Sequence, residues 1–203
     1  MEQRTEEWFE ARMGCVTASR TADVMAKTKS GYAASRANYM AELICERLTG
    51  ERQGGFSSAA MQWGTETEPQ ARMAYEIMTG ATVVETGFVL HPEIAGFGAS
   101  PDGLIGEDGL IEIKCPNTAT HIETLLNDKV PGKYITQMHV QMLCTGRKWC
   151  DFVSFDPRLP VDMQMFVRRV EFDQELADQI VTDVQAFIAE METKIEQLKA
   201  RTA

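Results

Sequence analysis

The sequence predicts a mixed α/β fold, a central β-sheet flanked by α-helices. Three observations carry that expectation. Residues 1–80 show helical periodicity, strand-like segments cluster between Thr82 and Pro116, and the remainder runs helix, strands and a long closing helix. No internal repeat, low-complexity block or long linker interrupts this order.

Glu6 to Met13 reads as a short amphipathic segment. Thr17 or Ser19 is a cap residue for a helix over Ala18 to Lys27, and Ala33 to Leu48 is a longer helix closed by Gly50. The Gly54-Gly55 pair marks a loop. From Ser57 a helical pattern runs through MQWGTETEPQARMAYEIMTG, with Gly80 as its stop and Pro69 expected to kink it or to start its second part. Thr82 to Leu90 is β-branched and alternating, and two more strands flank a Gly106 to Gly109 turn. Helices follow near Thr118 to Asn127 and Lys133 to Cys144, then strands near Lys148 to Phe155 and Met163 to Val170. A final helix starts at Asp173.

A chain of 203 residues, 44% hydrophobic, can bury one core, and a single domain over residues 1–203 is expected. No run approaches the roughly 18 apolar residues of a membrane span. Met1 to Glu10 is too acidic and polar for a signal peptide, so no membrane and a cytoplasmic location are expected. The five cysteines form no C-x-x-C pair and suit reduced thiols.

The net charge of -10 argues against indiscriminate coating of nucleic acid, because phosphate binding is driven by Lys and Arg displacing counterions. The charge is unevenly distributed, however. Between Ala11 and Ala41 the bases Arg12, Arg20, Lys27, Lys29 and Arg36 face only Asp23, whereas from Glu171 onward eight acids outnumber Lys194, Lys199 and Arg201. That polarity can orient a polyanion on one face, and it equally suits ordinary solvated surface.

The stretch GASPDGLIGEDGLIEIKCP (Gly98 to Pro116) concentrates the chemistry. In a strand, Ile111, Ile113 and Cys115 point one way and Leu110, Glu112 and Lys114 the other, so one face is expected to be core and the other chemistry. If the hairpin is symmetric about Glu107, Gly103 opposes Ile111 and Asp102 opposes Glu112. Like charges so placed destabilise a sheet unless a positive group lies between them. Mg²⁺ is the natural cation, since it takes carboxylate oxygens at about 2.0 to 2.1 Å while keeping several waters. Lys114 would then set an ammonium beside the metal, to orient a water or steady charge on a phosphoryl oxygen. A bare E-x-K alone more often marks an exposed surface pair.

These residues resemble the signature of phage lambda exonuclease and YqaJ-type viral recombination nucleases, within the PD-(D/E)XK (restriction-endonuclease-like) superfamily. The core is Pro101-Asp102 followed by Glu112-Ile113-Lys114. WFEARMGCVTAS (Trp8 to Ser19) is similar to the family's W-x3-R-x-G-x-x-T-A-S element, and WGTETEPQARMAYEIMTG (Trp63 to Gly80) to its W-G-x3-E helix. QMHVQM and FDPR resemble the segments after the active site.

The resemblance implies Asp102, Glu112 and the Ile113 carbonyl as metal ligands, Lys114 as catalytic lysine, and Glu68 as a helical glutamate assisting at the metal. Gln137 falls on a glutamine that contacts the site, and His139 stands where a second glutamine is usual, which leaves the parts of Gln137 and Gln141 open. Arg12, Ser19 and Ser100 fall on positions that bind a terminal 5′-phosphate. Lys27, Lys29 and Arg36 are expected to face DNA, with Met61 an apolar contact near the strand junction.

The implied activity is Mg²⁺-dependent degradation of one strand of linear double-stranded DNA from its 5′ end, with Mn²⁺ able to substitute. It would release 5′-mononucleotides and leave a 3′ overhang. A homotrimeric ring and a single-strand annealing protein are the implied partners, in a phage or prophage setting. Three alternatives stand beside this reading. They are a structure-selective endonuclease of the same superfamily, a catalytically silent DNA-end-binding protein, and an iron–sulfur nuclease, whose four spaced thiolates the sequence lacks.

Overall fold

In the computed structural model, residues 1–53 and 58–201 are described. The Gly54-Gly55 loop and the helix start at Ser57 lie outside them. The elements run α1 (Glu6–Arg12), β1 (Val16–Thr17), α2 (Thr21–Met25), β2 (Lys27–Thr28), β3 (Gly31–Tyr32), α3 (Ala34–Thr49) and α4 (Ala59–Thr79). Then follow β4 (Val83–Val84), β5 (Val89–Leu90), β6 (Phe97–Ala99), β7 (Gly103–Ile105) and β8 (Gly109–Lys114). The chain closes with α5 (Thr118–Asn127), α6 (Ile135–Thr145), β9 (Trp149–Phe155), β10 (Met165–Glu171) and α7 (Gln174–Lys199).

The main sheet has the order β10-β9-β8-β7-β4, with β8 and β9 parallel and the other pairs antiparallel. A parallel pair needs a crossover, and α5 and α6 supply it. A second sheet, β1-β6-β5, and the β2–β3 hairpin complete the strands among the described residues.

The β7–β8 register is the expected one: Gly103 opposes Ile111 and Ile105 opposes Gly109. The expected division of faces holds only in part. Ile111 and Ile113 pack with Ala71 and Tyr75 of α4, but Leu110 on the other face is also core, packed with Met138 and Met142 of α6. Glu112 therefore lies under a helix, with no exposed surface. Val140 and Cys144, elsewhere on α6, join Val184 and Phe187 of α7 in a separate cluster. Helix α6, clamped on two sides, is buried over Met138–Met142 and at Cys144, polar Gln141 and His139 included, and has little freedom to rotate.

Several elements differ from the sequence reading. The helix expected over Ala18 to Lys27 is a 3₁₀ turn followed by α2, and Lys27 lies in the β2–β3 hairpin. Gly31, at φ 132, takes a conformation that suits glycine, and the Thr28 hydroxyl donates to its carbonyl, so local turn chemistry ends the helix. Helix α4 runs through Pro69 rather than restarting there. Pro69 is exposed, where water can serve the carbonyl that lost its donor. Thr82 to Leu90 divides into β4 and β5, which belong to different sheets.

Candidate active site

The hairpin register delivers two carboxylates to one place. Asp102 precedes β7, and its Oδ2 accepts the backbone N–H of Ile113 on β8 at 2.7 Å. Glu112 is held on both oxygens: Oε1 accepts from Gln137 Nε2 at 2.7 Å and Oε2 from Gln141 Nε2 at 2.6 Å. Gln137 and Gln141, four residues apart on α6, share the face turned toward Glu112. The Lys114 ammonium pairs with Glu112 Oε1 and lies 5.2 Å from the centroid of the Tyr134 ring.

Burial raises the Asp102 carboxyl well above the usual range, and the negative charge of Glu112 raises it further, against the pull of Lys114. Burial alone would lower the Lys114 ammonium, yet Glu112 and Asp102 outweigh it and hold the lysine above its ordinary value. The centre thus gathers more acid than base.

This donor set fits a hard divalent cation. Among the described residues no group of three or more His, Cys, Asp or Glu converges as a closed metal cage. The two carboxylates, Asp102 and Glu112, supply hard oxygen donors of the kind that a divalent cation such as Mg²⁺ accepts while keeping waters. Burial and the neighbouring Glu112 both disfavour the charged form of Asp102, and a cation between the two carboxylates would favour it.

Glu68 lies on α4 between two guanidinium groups, Arg4 at 2.7 Å and Arg72 at 2.9 Å. Arg158 ties the site's edges together: it pairs with Asp156 at 2.7 Å, donates to the Pro116 carbonyl at 3.2 Å and covers the Trp63 ring of α4 at 4.3 Å.

Beside this centre is a cleft of about 630 Å³, lined among others by Arg4, Trp8, Arg12, Ser19, Arg20, Arg52 and Met61. Arg12 lies over the Trp8 ring at 3.9 Å, and its buried Nε has no hydrogen-bond partner among the described residues. Burial lowers the Arg12 guanidinium from its ordinary value, while Tyr39 and Glu46 oppose the shift. Ser100 is occupied structurally, its Oγ accepting from Trp8 Nε1 at 2.9 Å.

The residues expected to face DNA separate. Lys27 and Lys29 are exposed on the β2–β3 hairpin, Lys27 lying 3.6 Å from Asp183. Met61 is exposed at the cleft. Arg36 departs from the expectation: it is buried, pairs with Glu190 at 2.7 Å and packs on the Tyr32 and Phe187 rings. A guanidinium so enclosed ties α3 to α7 rather than meeting a polyanion. His139 is also structural, with Nδ1 on the Ile135 carbonyl and Nε2 accepting the Asp173 N–H.

Residues 7–148 match the YqaJ-like viral recombinase domain. The chain belongs to this family. Two solved structures of LHK-Exo, an alkaline exonuclease from Laribacter hongkongensis, are 62% identical over 98% of each chain with a TM-score of 0.92; one is a complex with dAMP. A phage-related exonuclease from Haemophilus somnus 129PT has the same fold at 17% identity, with a TM-score of 0.73 over 93% of this chain and 96% of that one. No curated protein sequence matches. The family member described here is therefore a DNA exonuclease on a PD-(D/E)XK fold. Among its described residues no helix is long and apolar enough to cross a membrane.

Gln141, Arg4, Arg72 and Arg158 are the contributors that sequence reasoning did not assign. The i, i+4 spacing of Gln137 and Gln141 is the signal that could have found the first. Arg72 likewise stands four residues from Glu68 on α4, whereas the contacts of Arg4 with Glu68 and of Arg158 with Pro116 join positions far apart in sequence and left no local trace.

Proposed function

We propose that this protein, acting as a single domain in the cytoplasm, is a Mg²⁺-dependent exonuclease that digests one strand of linear duplex DNA from its 5′ end. It releases 5′-mononucleotides and leaves a 3′ overhang for strand annealing. The observation that carries the reading is the buried Glu112, held by Gln137, Gln141 and Lys114 beside Asp102 and next to an arginine-lined cleft. The complex of LHK-Exo with dAMP, a mononucleotide, supports the product class.

Asp102, Glu112 and the Ile113 carbonyl would hold the metal, which supplies activation of the attacking water and charge stabilisation at the leaving oxygen. The two glutamine amides fix the orientation of Glu112, as outer partners of ligating carboxylates commonly do. Lys114 presents an ammonium to the reacting phosphate, where it offsets charge as it develops. Arg12 and Ser19 receive the 5′-phosphate in the cleft, with Ser100 supporting its Trp8 wall, and so bring the next phosphodiester over the carboxylates. A terminal pocket makes an end, not an internal bond, the substrate. With a net charge of -10, retention of DNA by a homotrimeric ring suits this chain better than a tight electrostatic grip. A single-strand annealing protein receives the emerging tail, and the acidic α7 is its candidate docking face.

The test is nucleotide release from 5′-phosphorylated linear duplex with Mg²⁺, with Lys114→Ala as control. Equal activity of the control defeats the assignment. Cleavage of gapped or branched circular duplex would point instead to a structure-selective endonuclease. Arg12→Ala should erode the preference for 5′-phosphorylated over 5′-hydroxyl ends, and light scattering that finds a monomer removes the ring.

A further inference from the structure

Residues 1–5, ahead of the family match, lie against the catalytic centre. Gln3 Nε2 donates to the Thr86 carbonyl at 3.0 Å and to the Pro101 carbonyl, next to Asp102, at 2.8 Å. Arg4 adopts φ 70, a left-handed conformation uncommon for a residue with a Cβ. Thr5 then caps α1, its hydroxyl accepting the Trp8 N–H. The chain is thus anchored on both sides of Arg4 while Arg4 itself is held in a strained turn, an arrangement that persists only where the surroundings enforce it.

The turn sends the Arg4 guanidinium to two places at once. It lines the cleft that holds Arg12 and Ser19, and it pairs with Glu68 at 2.7 Å. The two cations on Glu68 differ in kind. The Arg72 side chain is 15% exposed and also pairs with Glu85, whereas that of Arg4 is 47% exposed. An ion pair with one open partner is weak and readily exchanged. A phosphate competes well for such a guanidinium, because it offers several oxygens in the geometry of the fork.

We propose that Arg4 is a phosphate-binding residue of this exonuclease. It pairs with Glu68 in the free protein and exchanges that carboxylate for a backbone phosphate of the strand passing from the cleft to the Asp102–Glu112 centre. Glu68 keeps Arg72 and is released from its second cation only when DNA is present. The inference rests on the proposed function above, since it assigns Arg4 a place along that strand.

Fluorescence anisotropy with a 5′-phosphorylated linear duplex, in EDTA so that no cleavage occurs, tests it. Arg4→Ala is expected to weaken binding by about tenfold and to lower the slope of log Kd against log salt by about 1, the loss of one phosphate contact. Arg4→Lys, which retains the charge, should keep the slope, and this separates phosphate pairing from any effect on folding. Glu68→Gln should tighten binding in the native background and do so much less when Arg4 is already alanine. Native affinity and slope in Arg4→Ala, or an equal effect of Glu68→Gln in both backgrounds, overturns the proposal. Native protein that releases no mononucleotide with Mg²⁺ defeats the exonuclease reading instead, so the two failures are told apart.

Discussion

Replacing Gln141 by Leu tests the claim that α6 exists to hold Glu112. The side chains are of similar size, so the substitution chiefly removes the amide that donates to Oε2 at 2.6 Å. Both Gln141 and Glu112 are fully buried, and no water can take the vacated place without rearrangement. A hydrogen bond to a charged group contributes about 1.5–3 kcal/mol. Taking about 2 kcal/mol for a carboxylate that still keeps Gln137 and Lys114, the melting temperature of the metal-free protein should fall by about 4–8 °C at this chain length. With one oxygen unsupported, the carboxylate is free to turn, and activity at limiting Mg²⁺ should drop about 10- to 100-fold. Thermal melting by circular dichroism reads the first effect, and a Mg²⁺ titration of nucleotide release reads the second. Gln137 is only partly buried, so water can replace its amide and Gln137→Ala should cost less on both measures. Native melting and native half-saturating Mg²⁺ in Gln141→Leu would refute the reasoning.

Lys114→Ala should lower kcat by about 10²–10³-fold while far-ultraviolet circular dichroism stays native, because Glu112 retains both amides. Burial raises the Asp156 carboxyl, but bonds from Arg158 and Thr118 more than offset it and bring it down to about 2. Its stabilising contribution is therefore complete above the unfolded value near about 4 and is lost as pH falls through about 2. Denaturant melts of native protein and Asp156→Asn should differ at pH 5 and converge near pH 2. Arg36→Ala should cost about 1–2 kcal/mol through lost packing on Tyr32 and Phe187, lowering the melting temperature by about 2–8 °C while leaving the Kd for duplex DNA unchanged. A loss of affinity larger than the loss of stability explains would return Arg36 to the DNA face.

The parts of the fold legible in the sequence are those whose signals are local. The β7–β8 register follows from alternation across a short turn, and Gly50 and Gly80 end their helices at positive φ as helix-terminating glycines do. The carboxylate pair was legible for the same reason, since Asp102 and Glu112 belong to one hairpin. What covers them was not. The burial of Glu112 depends on α6, which packs against the sheet on one side and α7 on the other, and no local pattern states which of several apolar helices will do so. Charge counting misjudged Arg36 because a cation's role depends on its partner, and Glu190 lies 154 residues away. The clamp on Glu68 was hidden likewise, since Arg4 reaches across 64 residues from a segment with no periodicity to read.

The strand that carries Glu112 has consequences for how the polypeptide becomes dangerous to nucleic acid. Its amide donors arrive 25 and 29 residues later in the chain, and its parallel neighbour β9 later still. A ribosome that has emitted only the hairpin has made two acids with nothing to keep them aligned. The buried arrangement of Glu112 is thereby deferred until α6 and β9 have folded back over the hairpin.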